Sequence, residues 1–416
     1  MQDQIPPEQL VTSRTYARPL APFLNIVLSK IQSELCLANA ETIAHIFDQR
    51  RRLAQFLHQL LRELRAYQER VDAVLGPSWV VNECLSEDVL FDGGHILRCL
   101  STDDSPDVVA YPSVRVRPTI YMRASKWLSD RTGFPSLHRS ELAQRKDGVI
   151  LKPFVPRGQV LDRTAASRSS GALIALAQYL AMTDCHASNV VFHEDTPFLI
   201  DDESVMQFGS DPSTVDGRST IRGTRLIPDR HLSRNECGLA DLLRTGIDLP
   251  ALAHGYTTAC KVILANRSSF VEVVMEACDA YPWLRHYRAS SSFYRSLKQV
   301  LGLALFHDST ELDILSELRA RYRLPGVPNS EYRGHVDHEI RRLRNGHSPH
   351  WVINARDGKI SEAAGDQHVD AISPPKQRWL DHINGMDRQN IERDSAWLTV
   401  QIARASRRYR FPGLGR

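Results

Sequence analysis

The spacing of hydrophobic residues changes several times along the chain, and each change predicts a different element. Residues 42–75 carry apolar side chains at three- and four-residue intervals, which predicts an amphipathic helix ending at the Gly-Pro pair 76–77. From 79 to about 121 the apolar runs are short and separated by turns, which is typical of a small antiparallel sheet. Residues 237–320 are mostly helical by pattern, and a final helix is predicted near Asp387–Ser406.

The most informative pattern lies in residues 170–203. Its first half predicts a helix with one apolar face, because leucine and alanine residues recur every three and four positions. A polar loop follows, and two apolar runs, 190–192 and 198–200, then predict a β-hairpin with its turn at 194–197. The second run ends at three consecutive acidic residues, 201–203.

This order of helix, polar loop, hairpin and acid is typical of a kinase catalytic centre. Phosphoryl transfer needs an acidic group beside the attacking hydroxyl, and an amide oxygen and a carboxylate that hold Mg²⁺ on the phosphates. Asp184 and Asn189 have the five-residue spacing of the catalytic acid and the metal-binding amide. Asp201 ends the hairpin, where a second metal ligand is expected. The Asp184 and Asn189 loop alone, or the acidic end of the hairpin alone, would also fit a loop without a catalytic role.

Composition narrows the class of protein. The chain has 416 residues, of which 42% are hydrophobic and 24% charged, as in ordinary globular proteins of two or three structural units. The net charge of +3 gives no indication of a nucleic-acid partner. The seven scattered cysteines include no Cys-x-x-Cys pair, which argues against a disulfide framework or a structural zinc site. We find no signal-peptide pattern and no run that could span a membrane, and therefore expect a cytoplasmic protein.

Two features of the sequence each allow two interpretations. The polar face of the predicted helix 42–75 carries six arginines, which form either a solvated surface or a docking surface for an anionic partner or a peptide. The Gly-Gly pair 93–94 is either a tight turn of a hairpin or a glycine turn close to bound phosphates. The six arginines are Arg50, Arg51, Arg52, Arg62, Arg65 and Arg70.

The motifs, in this order, resemble the dehydratase domain of class II lanthipeptide synthetases (the LanM type). Residues 183–189 match the family's Thr-Asp-x-His-x-x-Asn motif, and residues 197–203 match Pro-x-Leu-Ile-Asp-x-Glu. Residues 219–228 are similar to a Ser-x-x-x-x-Gly-Leu-Leu-Pro stretch, and residues 285–294 keep the spacing of an Arg-rich helix. The resemblance covers most of the chain from about residue 43.

The resemblance implies an α+β protein with a kinase-like (lipid-kinase-like) two-lobed core and helical additions at both ends. We expect an N-terminal helical segment at 1–78 and an N-lobe with a small antiparallel sheet at 79–165. A C-lobe with the catalytic loop and an elimination helix would occupy 166–320, and a helical and loop extension would occupy 321–416. Such enzymes use ATP and Mg²⁺ to phosphorylate Ser and Thr of a ribosomally made precursor peptide. They then eliminate phosphate to give dehydroalanine or dehydrobutyrine, and they recognise the peptide by its leader.

Roles for individual residues follow from the matched motifs. Asp184 would orient or deprotonate the attacking hydroxyl. His186 would hold the loop or a phosphate, and a purely structural hydrogen bond is its alternative role. Asn189 and Asp201 would bind Mg²⁺ and the nucleotide, because the metal neutralises charge that develops on the phosphates. Glu203 would be a further ligand or would support one.

Elimination needs a base for the α-proton and a cation for the departing phosphate. Arg285 matches the family's residue for the cationic role, and Arg288 is a nearby candidate. Ser291 takes the place of the family's elimination Thr, and Tyr294 completes the spacing. An Arg-rich face exposed to solvent is the alternative interpretation of this segment.

Two departures from the family concern the nucleotide. The family's Asp-x-His turn is one residue longer here, with Asp92 and His95 as catalytic candidates. The nucleotide-binding Lys of a Lys-Pro pair is replaced by Arg117, which precedes Pro118, and Arg is not equivalent to Lys at such a site. Lys126 and Lys152 are the alternatives.

We therefore expect a stand-alone dehydratase without the family's cyclase domain, whose zinc site of Cys and His has no match here. Ring closure would belong to a separate cyclase or another tailoring enzyme. The expected partner is the precursor peptide, with no nucleic acid and no membrane span. Two alternatives are a kinase-like phosphotransferase without elimination and a pseudokinase-like binding module of a peptide-modification complex, which the altered Lys position motivates.

Overall fold

The structure is a computed structural model, and its described residues fall into two compact units. Unit 1 draws on Met1–Val114, Glu141–Phe154 and Tyr287–His350, and unit 2 on Arg115–Ser140, Val155–His286 and Trp351–Arg416. The described residues are 62, 66–67, 69–76, 79–84, 97–102, 106–112, 119–138, 145–146, 149–207, 221–228, 236–286, 339, 342, 351–362, 368–369 and 373–410.

Unit 1 contains an antiparallel sheet of five strands in the order β1-β2-β3-β5-β4. One face of this sheet packs on a helix through Tyr67 and Val71. That helix ends at Gly76, whose φ of 78° is easily reached only by glycine and whose N–H donates to Asp72 O. The predicted helix end and antiparallel sheet are thus confirmed. The strands are β1 (Trp79–Cys84), β2 (Leu97–Ser101), β3 (Val108–Pro112), β4 (Arg145–Lys146) and β5 (Val149–Pro153).

The buried face of this sheet follows the period of two that strands impose on side chains. Alternate residues of β2, β3 and β5 are buried against the helix, because successive side chains of a strand point to opposite faces. These residues are Leu97, Cys99, Val108, Ala110, Val149 and Leu151.

Unit 2 is mainly helical, and α2 lies in its core. The predicted single apolar face of α2 is wrong, because the helix is buried on every side from Ser169 to Tyr179, where Ser, Gly and Ala let neighbours approach. Its neighbours include α4 (Leu249–Ala265) and β7 (Thr196–Leu199). The helices are α1 (Thr119–Thr132), α2 (Arg163–Tyr179), α3 (Ala240–Thr245), α4 (Leu249–Ala265), α5 (Arg267–Ala280), α6 (Pro375–Gly385) and α7 (Arg388–Arg410).

Two aspartates cap α2 and α4 and join the starts of the two helices. Asp162 Oδ1 accepts hydrogen bonds from the N–H groups of Thr164 and Ala165, at 2.9 and 3.0 Å. Asp248 Oδ1 accepts from Ala251 N–H at 3.0 Å, and its Oδ2 accepts from the Thr164 hydroxyl at 2.8 Å. The cap explains why α2 begins at Arg163, before the residues from which its periodicity predicted it.

The crossing of α2 and α4 brings their backbones into direct contact. A methyl group at Gly171 would lie 2.2 Å from Leu252 O, and one at Gly255 would lie 2.0 Å from Arg168 O. Real Cβ atoms do not approach backbone oxygens so closely, so each helix needs a glycine where it meets the other.

The strands of unit 2 form a hairpin and a sheet. The hairpin pairs β6 (Val190–His193) with β7 (Thr196–Leu199). Its turn is shorter than predicted, since Thr196 and Pro197 belong to β7. Only Glu194 and Asp195 form the loop, and their φ angles of 48° and 60° are those of a two-residue hairpin turn. The antiparallel sheet is β11-β10-β9-β8, from β8 (Trp283–His286), β9 (Trp351–Asn354), β10 (Ile360–Glu362) and β11 (His368–Val369).

Strand β8 corrects the element expected to carry Arg285, and residues 287–294 of the expected elimination helix lie outside the described residues. Arg285 lies on this strand, opposite Val352 of β9, within a region that was expected to be helical. The partner strand comes from a distant part of the sequence, so local periodicity gave no sign of it. Helices α1 and α6 were not predicted either, whereas α7 confirms the final helix.

The boundaries of the two units lie at different residues from the boundaries of the expected domains. Helix α1 belongs to unit 2, where it packs on α5 and α4. Residues 351–410 also belong to unit 2, because β9 pairs with β8. Strand β5 pairs with β3 and lies in unit 1. Among the described helices, none combines the length and the hydrophobicity needed to cross a membrane.

Replacing Gly171 by Ala should destabilise unit 2, because the new methyl group meets backbone atoms that cannot rotate away. We expect a loss on the order of 3 kcal/mol in the free energy of unfolding, measured by urea denaturation. Gly385→Ala is the matched control, since a Cβ at Gly385 meets nothing within 4 Å. Equal stability of the two variants would contradict the close crossing.

Candidate functional site

The polar loop after α2 starts from a Schellman motif. Ala181 has a φ of 50°, its N–H donates to Gln178 O at 3.1 Å, and Met182 N–H donates to Ala177 O at 2.8 Å. This pair of bonds ends the helix and turns the chain sharply. The motif therefore fixes the direction in which residues 183–189, here called the catalytic-type loop, leave α2.

A buried segment after the hairpin holds the first residue of the catalytic-type loop. Thr183 N–H donates to Ser204 O at 3.2 Å, and the buried Ser204 hydroxyl donates back to Thr183 O. Met206 N–H donates to Leu180 O at 2.9 Å, so the contact continues onto the end of α2. The residues after β7 and the residues after α2 thus run side by side.

Two more segments hold the middle of the loop. Cys185 N–H donates to Thr224 O at 3.1 Å, and Ala187 N–H donates to Glu236 O at 2.9 Å. A methyl group at Gly238 would lie 2.3 Å from Cys185 O, so this glycine permits the close approach. Because backbone bonds on both sides restrain the loop, its polar side chains have little freedom of position.

Asp184 is the centre of the site. Its φ is 62°, a left-handed conformation that Asp tolerates better than most residues. Its Oδ1 lies 3.4 Å from His186 Nε2 and 3.2 Å from Arg225 Nη1. His186 Nδ1 accepts the N–H of Ser188 at 3.2 Å, which assigns the proton of a neutral ring to the Nε2 that faces Asp184.

Asn189 lies against Asp184 and against the hairpin. Its Nδ2 donates to Asp184 O at 2.8 Å, so its amide oxygen is the end left to accept. Ile200 N–H donates to Asn189 O at 2.9 Å, which brings Asp201, the next residue, beside the loop. The structure therefore brings together Asp184, Asn189 and the end of the hairpin, as their spacing predicted.

The acidic segment alternates in burial. Asp201 and Glu203 are half-buried, whereas Asp202 is only 1% exposed and Ser204 is also buried. Asp202 Oδ2 lies 3.2 Å from Nε2 of His138, the residue whose ring contacts Tyr121 edge-on. The contact with the His138 ring offsets part of the cost of burying this carboxylate. Asp202 anchors the segment, while Asp201 and Glu203 on either side of it stay partly exposed.

The electrostatic surroundings raise the pKa of Asp184. Burial is the largest cause, since it disfavours the charged carboxylate. The Asp201 carboxylate raises the pKa further, whereas three basic side chains lower it: His186, Arg225 and Arg285. Acidic and basic groups therefore act on Asp184 from four separate parts of the chain.

Arg285 is attached to the same region through its backbone. The Gln207 side-chain amide donates to Arg285 O, and Gln207 N–H donates to Ala181 O at 2.9 Å. Arg285 is buried, with 8% of its surface exposed. The charge of Arg285, the residue named from the sequence, lowers the pKa of Asp184, and the element that carries it is a strand.

The other residues named from the sequence are placed elsewhere or are not described. Lys126 lies on the exposed side of α1 and pairs with Asp130 at 3.2 Å. Lys152 lies on β5 of unit 1, with its ammonium group 5.0 Å from the centre of the Tyr111 ring. The candidates outside the described residues are Asp92, His95, Arg117, Arg288, Ser291 and Tyr294.

The donor atoms at the site can be compared with the ligands that the implied Mg²⁺ would need. Asn189 offers its amide oxygen and Asp201 a carboxylate, and both are hard ligands of the kind that Mg²⁺ prefers. No group of three or more His, Cys, Asp or Glu side chains that could hold a metal occurs in the described part of the chain. Mg²⁺ is commonly held by one or two protein oxygens together with substrate phosphates, so this donor set fits a metal that arrives with a nucleotide.

Residues 39–242 match the family model of a domain of unknown function (DUF4135). A comparison with curated proteins finds no match. The DUF4135 match includes α2, the catalytic-type loop, the hairpin, the acidic segment and Arg225. It ends within α3, before α4 and before the strand that carries Arg285.

Sequence reasoning missed Arg225 and the pair of His138 with Asp202. Arg225 lies inside the stretch 219–228 that the family pattern singled out, so a charged side chain in that stretch was the available signal. His138 follows α1 in a short mixed segment whose pattern predicts no element, and only the fold brings it to Asp202.

Replacing Asp184 by Asn should stabilise the protein at neutral pH. A raised pKa means that the folded protein holds the proton of Asp184 more tightly than the unfolded chain, so the ionised carboxylate costs stability. Asn resembles the protonated form and tolerates the positive φ. We expect a higher free energy of unfolding at pH 7 to 8. The gain should vanish below pH ~4, where the carboxyl is protonated in both states of the wild type.

Urea denaturation as a function of pH would measure this difference. Asp130→Asn, which removes the exposed partner of Lys126, is the control and should change stability little at any pH. A loss of stability in Asp184→Asn at pH 7 would show that the pairs with Arg225 and His186 outweigh the burial of the carboxylate.

Proposed function

We propose that this protein is a dehydratase of ribosomally made peptides that acts in two steps, phosphorylation of Ser or Thr with Mg-ATP and then elimination of the phosphate. The supporting observation is the meeting of three groups at one place. Asn189 is bonded to the backbone of Asp184, Asp201 follows the residue bonded to Asn189, and basic side chains surround Asp184. These are the groups that phosphoryl transfer to a hydroxyl requires.

In the first step Asp184 takes the proton of the peptide hydroxyl. Its raised pKa suits a base better than that of an ordinary exposed Asp. The hydroxyl oxygen forms a bond to the terminal phosphorus of ATP, the bond from that phosphorus to the bridging oxygen breaks, and ADP leaves. Asn189 and Asp201 would hold Mg²⁺, which supplies positive charge to the phosphates, with Glu203 as a further ligand or a support.

In the second step a base removes the α-proton of the phosphorylated residue. The electron pair forms a Cα=Cβ bond, the Cβ–O bond breaks, and inorganic phosphate leaves behind dehydroalanine or dehydrobutyrine. A cation must stabilise the departing phosphate. The lowering of the Asp184 pKa by the charge of Arg285 supports that role for Arg285. Ser291 belongs to this proposal through the resemblance alone.

We further propose a kinase-like core, a cytoplasmic location and a separate cyclase. An antiparallel sheet in unit 1, and the order of helix, loop, hairpin and acid in unit 2, support the kinase-like part. The expected partner is a precursor peptide with a leader and a core that contains Ser or Thr.

A second candidate function is phosphoryl transfer without elimination. The observation that favours it is the location of Arg285 on β8, where an Arg-rich helix was expected. A changed element can present the guanidinium at a different angle to the phosphorylated residue. The proton-transfer groups around Asp184 serve both candidates equally.

Intact mass spectrometry tests both candidate functions. A candidate precursor peptide is incubated with the full chain and Mg-ATP, and loss of water from the peptide is the result expected of a dehydratase. Gain of phosphate without loss of water would favour the second candidate. No change in peptide mass, together with no binding of Mg-ATP in a calorimetric titration, would contradict both and favour a pseudokinase-like binding module.

Replacing Arg285 by Ala should separate the two steps. We expect phosphorylated peptide to accumulate and dehydration to fall about 10² to 10³-fold, because the variant lacks a cation aimed at the departing phosphate. Mass spectrometry over time measures both species, and circular dichroism checks that the variant folds.

Arg285→Lys is the conservative comparison, since it retains the charge without the planar donors, and it should recover part of the elimination. Arg131→Ala is the control for a lost arginine, since Arg131 stacks on Trp127 in α1. Dehydration by Arg285→Ala at the wild-type rate would contradict the role of Arg285.

A further inference from the structure

Arg225 touches the centre of the site from a segment that the sequence did not single out for catalysis. Its Nη1 lies 3.2 Å from Asp184 Oδ1, and its side chain is 44% exposed. It follows the short 3₁₀ turn Ile221–Thr224, and Gly238 N–H donates to its carbonyl at 3.0 Å. The backbone of Arg225 is therefore fixed, while the long side chain extends from it toward Asp184.

The backbone conformation of Arg225 is one that side chains disfavour. Its φ is 63°, in the left-handed region where a Cβ approaches the following carbonyl. Glycine or asparagine would occupy this position with less strain. Strain of this kind persists where the surrounding structure imposes it, and it is found at ligand-binding sites. Asp184 has a φ of 62°, so two residues in the left-handed region meet through their charged ends.

The geometry of phosphoryl transfer determines which groups the Arg225 guanidinium can contact. The base lies within hydrogen-bond distance of the hydroxyl, and the hydroxyl oxygen lies next to the phosphorus that it attacks. A cation in contact with the base is therefore within one side-chain rotation of the oxygens on that phosphorus. A guanidinium has five N–H donors, and Nη1 alone makes the contact with Asp184.

Arg225 and Arg285 differ in the freedom of their side chains. Arg285 is buried, whereas nearly half of the Arg225 side chain is exposed. An exposed side chain changes rotamer at low cost, and a buried one must displace its neighbours. Of the two, Arg225 is the arginine that can exchange a carboxylate for an incoming anion.

We propose that Arg225 binds the terminal phosphate of the nucleotide, and that its ion pair with Asp184 is the contact it keeps before the nucleotide arrives. This inference rests on the proposed function, because it assumes a nucleotide whose terminal phosphate is transferred at Asp184. When Arg225 moves to the phosphate, its hydrogen bond to Asp184 Oδ1 breaks, and that oxygen becomes available to the peptide hydroxyl.

Calorimetric titration tests the inference without a peptide. The full chain is titrated with Mg-ADP and with the Mg complex of an ATP analogue whose β,γ-bridge is an imido group. In Arg225→Asn the affinity for the analogue should fall about tenfold or more, since a charged hydrogen bond to the terminal phosphate is lost. The affinity for ADP should stay the same, because ADP lacks that phosphate.

Three further variants make the test specific. Arg225→Gly should give the same result as Arg225→Asn, and it keeps the test valid if the Asn variant fails to fold, since glycine removes the backbone strain. Arg225→Lys retains the charge and should fall between the wild type and Arg225→Asn. Arg356→Asn removes an Arg–Asp pair of the same 3.2 Å length, to Asp279, and should leave both affinities unchanged.

The outcomes separate this inference from the proposed function. Two results would overturn the role of Arg225 and leave the proposed function in place, provided that the wild type binds both nucleotides. One is an Arg225→Asn variant with unchanged affinities for both nucleotides. The other is an equal loss of affinity for ADP and for the analogue. Binding of neither nucleotide by the wild type would overturn the proposed function and this inference with it. A loss confined to the analogue supports the inference.

Discussion

The backbone contact between α2 and α4 determines where the rest of the site can lie. Glycines at 171 and 255 let the two helices meet without side chains between them, and the Thr164 hydroxyl joins their capped starts through Asp248. Because the catalytic-type loop leaves directly from the end of α2, the position of this helix sets the position of Asp184. The Schellman motif at Ala181 then fixes the direction of the loop.

The site itself is a balance between burial and charge. Burial alone would favour a neutral Asp184, and the basic groups around it oppose that tendency without reversing it. Each of those groups comes from a different segment: His186 from the loop, Arg225 from the turn after 221, and Arg285 from β8. The balance can therefore be changed at one segment while the others stay in place, and perturbed pKa values of this kind cluster at functional sites.

The features predicted from the sequence are those that depend on nearby residues. The spacing of Asp184 and Asn189, the hairpin and the acid at its end follow from local turn and strand preferences. The burial of α2 on every side, the strand that carries Arg285 and the pair of His138 with Asp202 depend on segments that are distant in the sequence. A periodicity within one segment does not contain that information, because tertiary packing overrides local preference.

The end of α2 is also held by three other helices of unit 2: α4, α6 and α7. Gln178 Oε1 accepts the Tyr256 hydroxyl at 2.7 Å, its Nε2 donates to Asp394 at 2.8 Å, and Trp379 Nε1 donates to Tyr179 O at 2.9 Å. All three partners lie beyond residue 242, where the DUF4135 match stops. The matched region is thus shorter than the folding unit to which its central helix belongs. A fragment cut at that boundary would expose the apolar sides of α2 to water, so recombinant work on the site should retain the chain through α7.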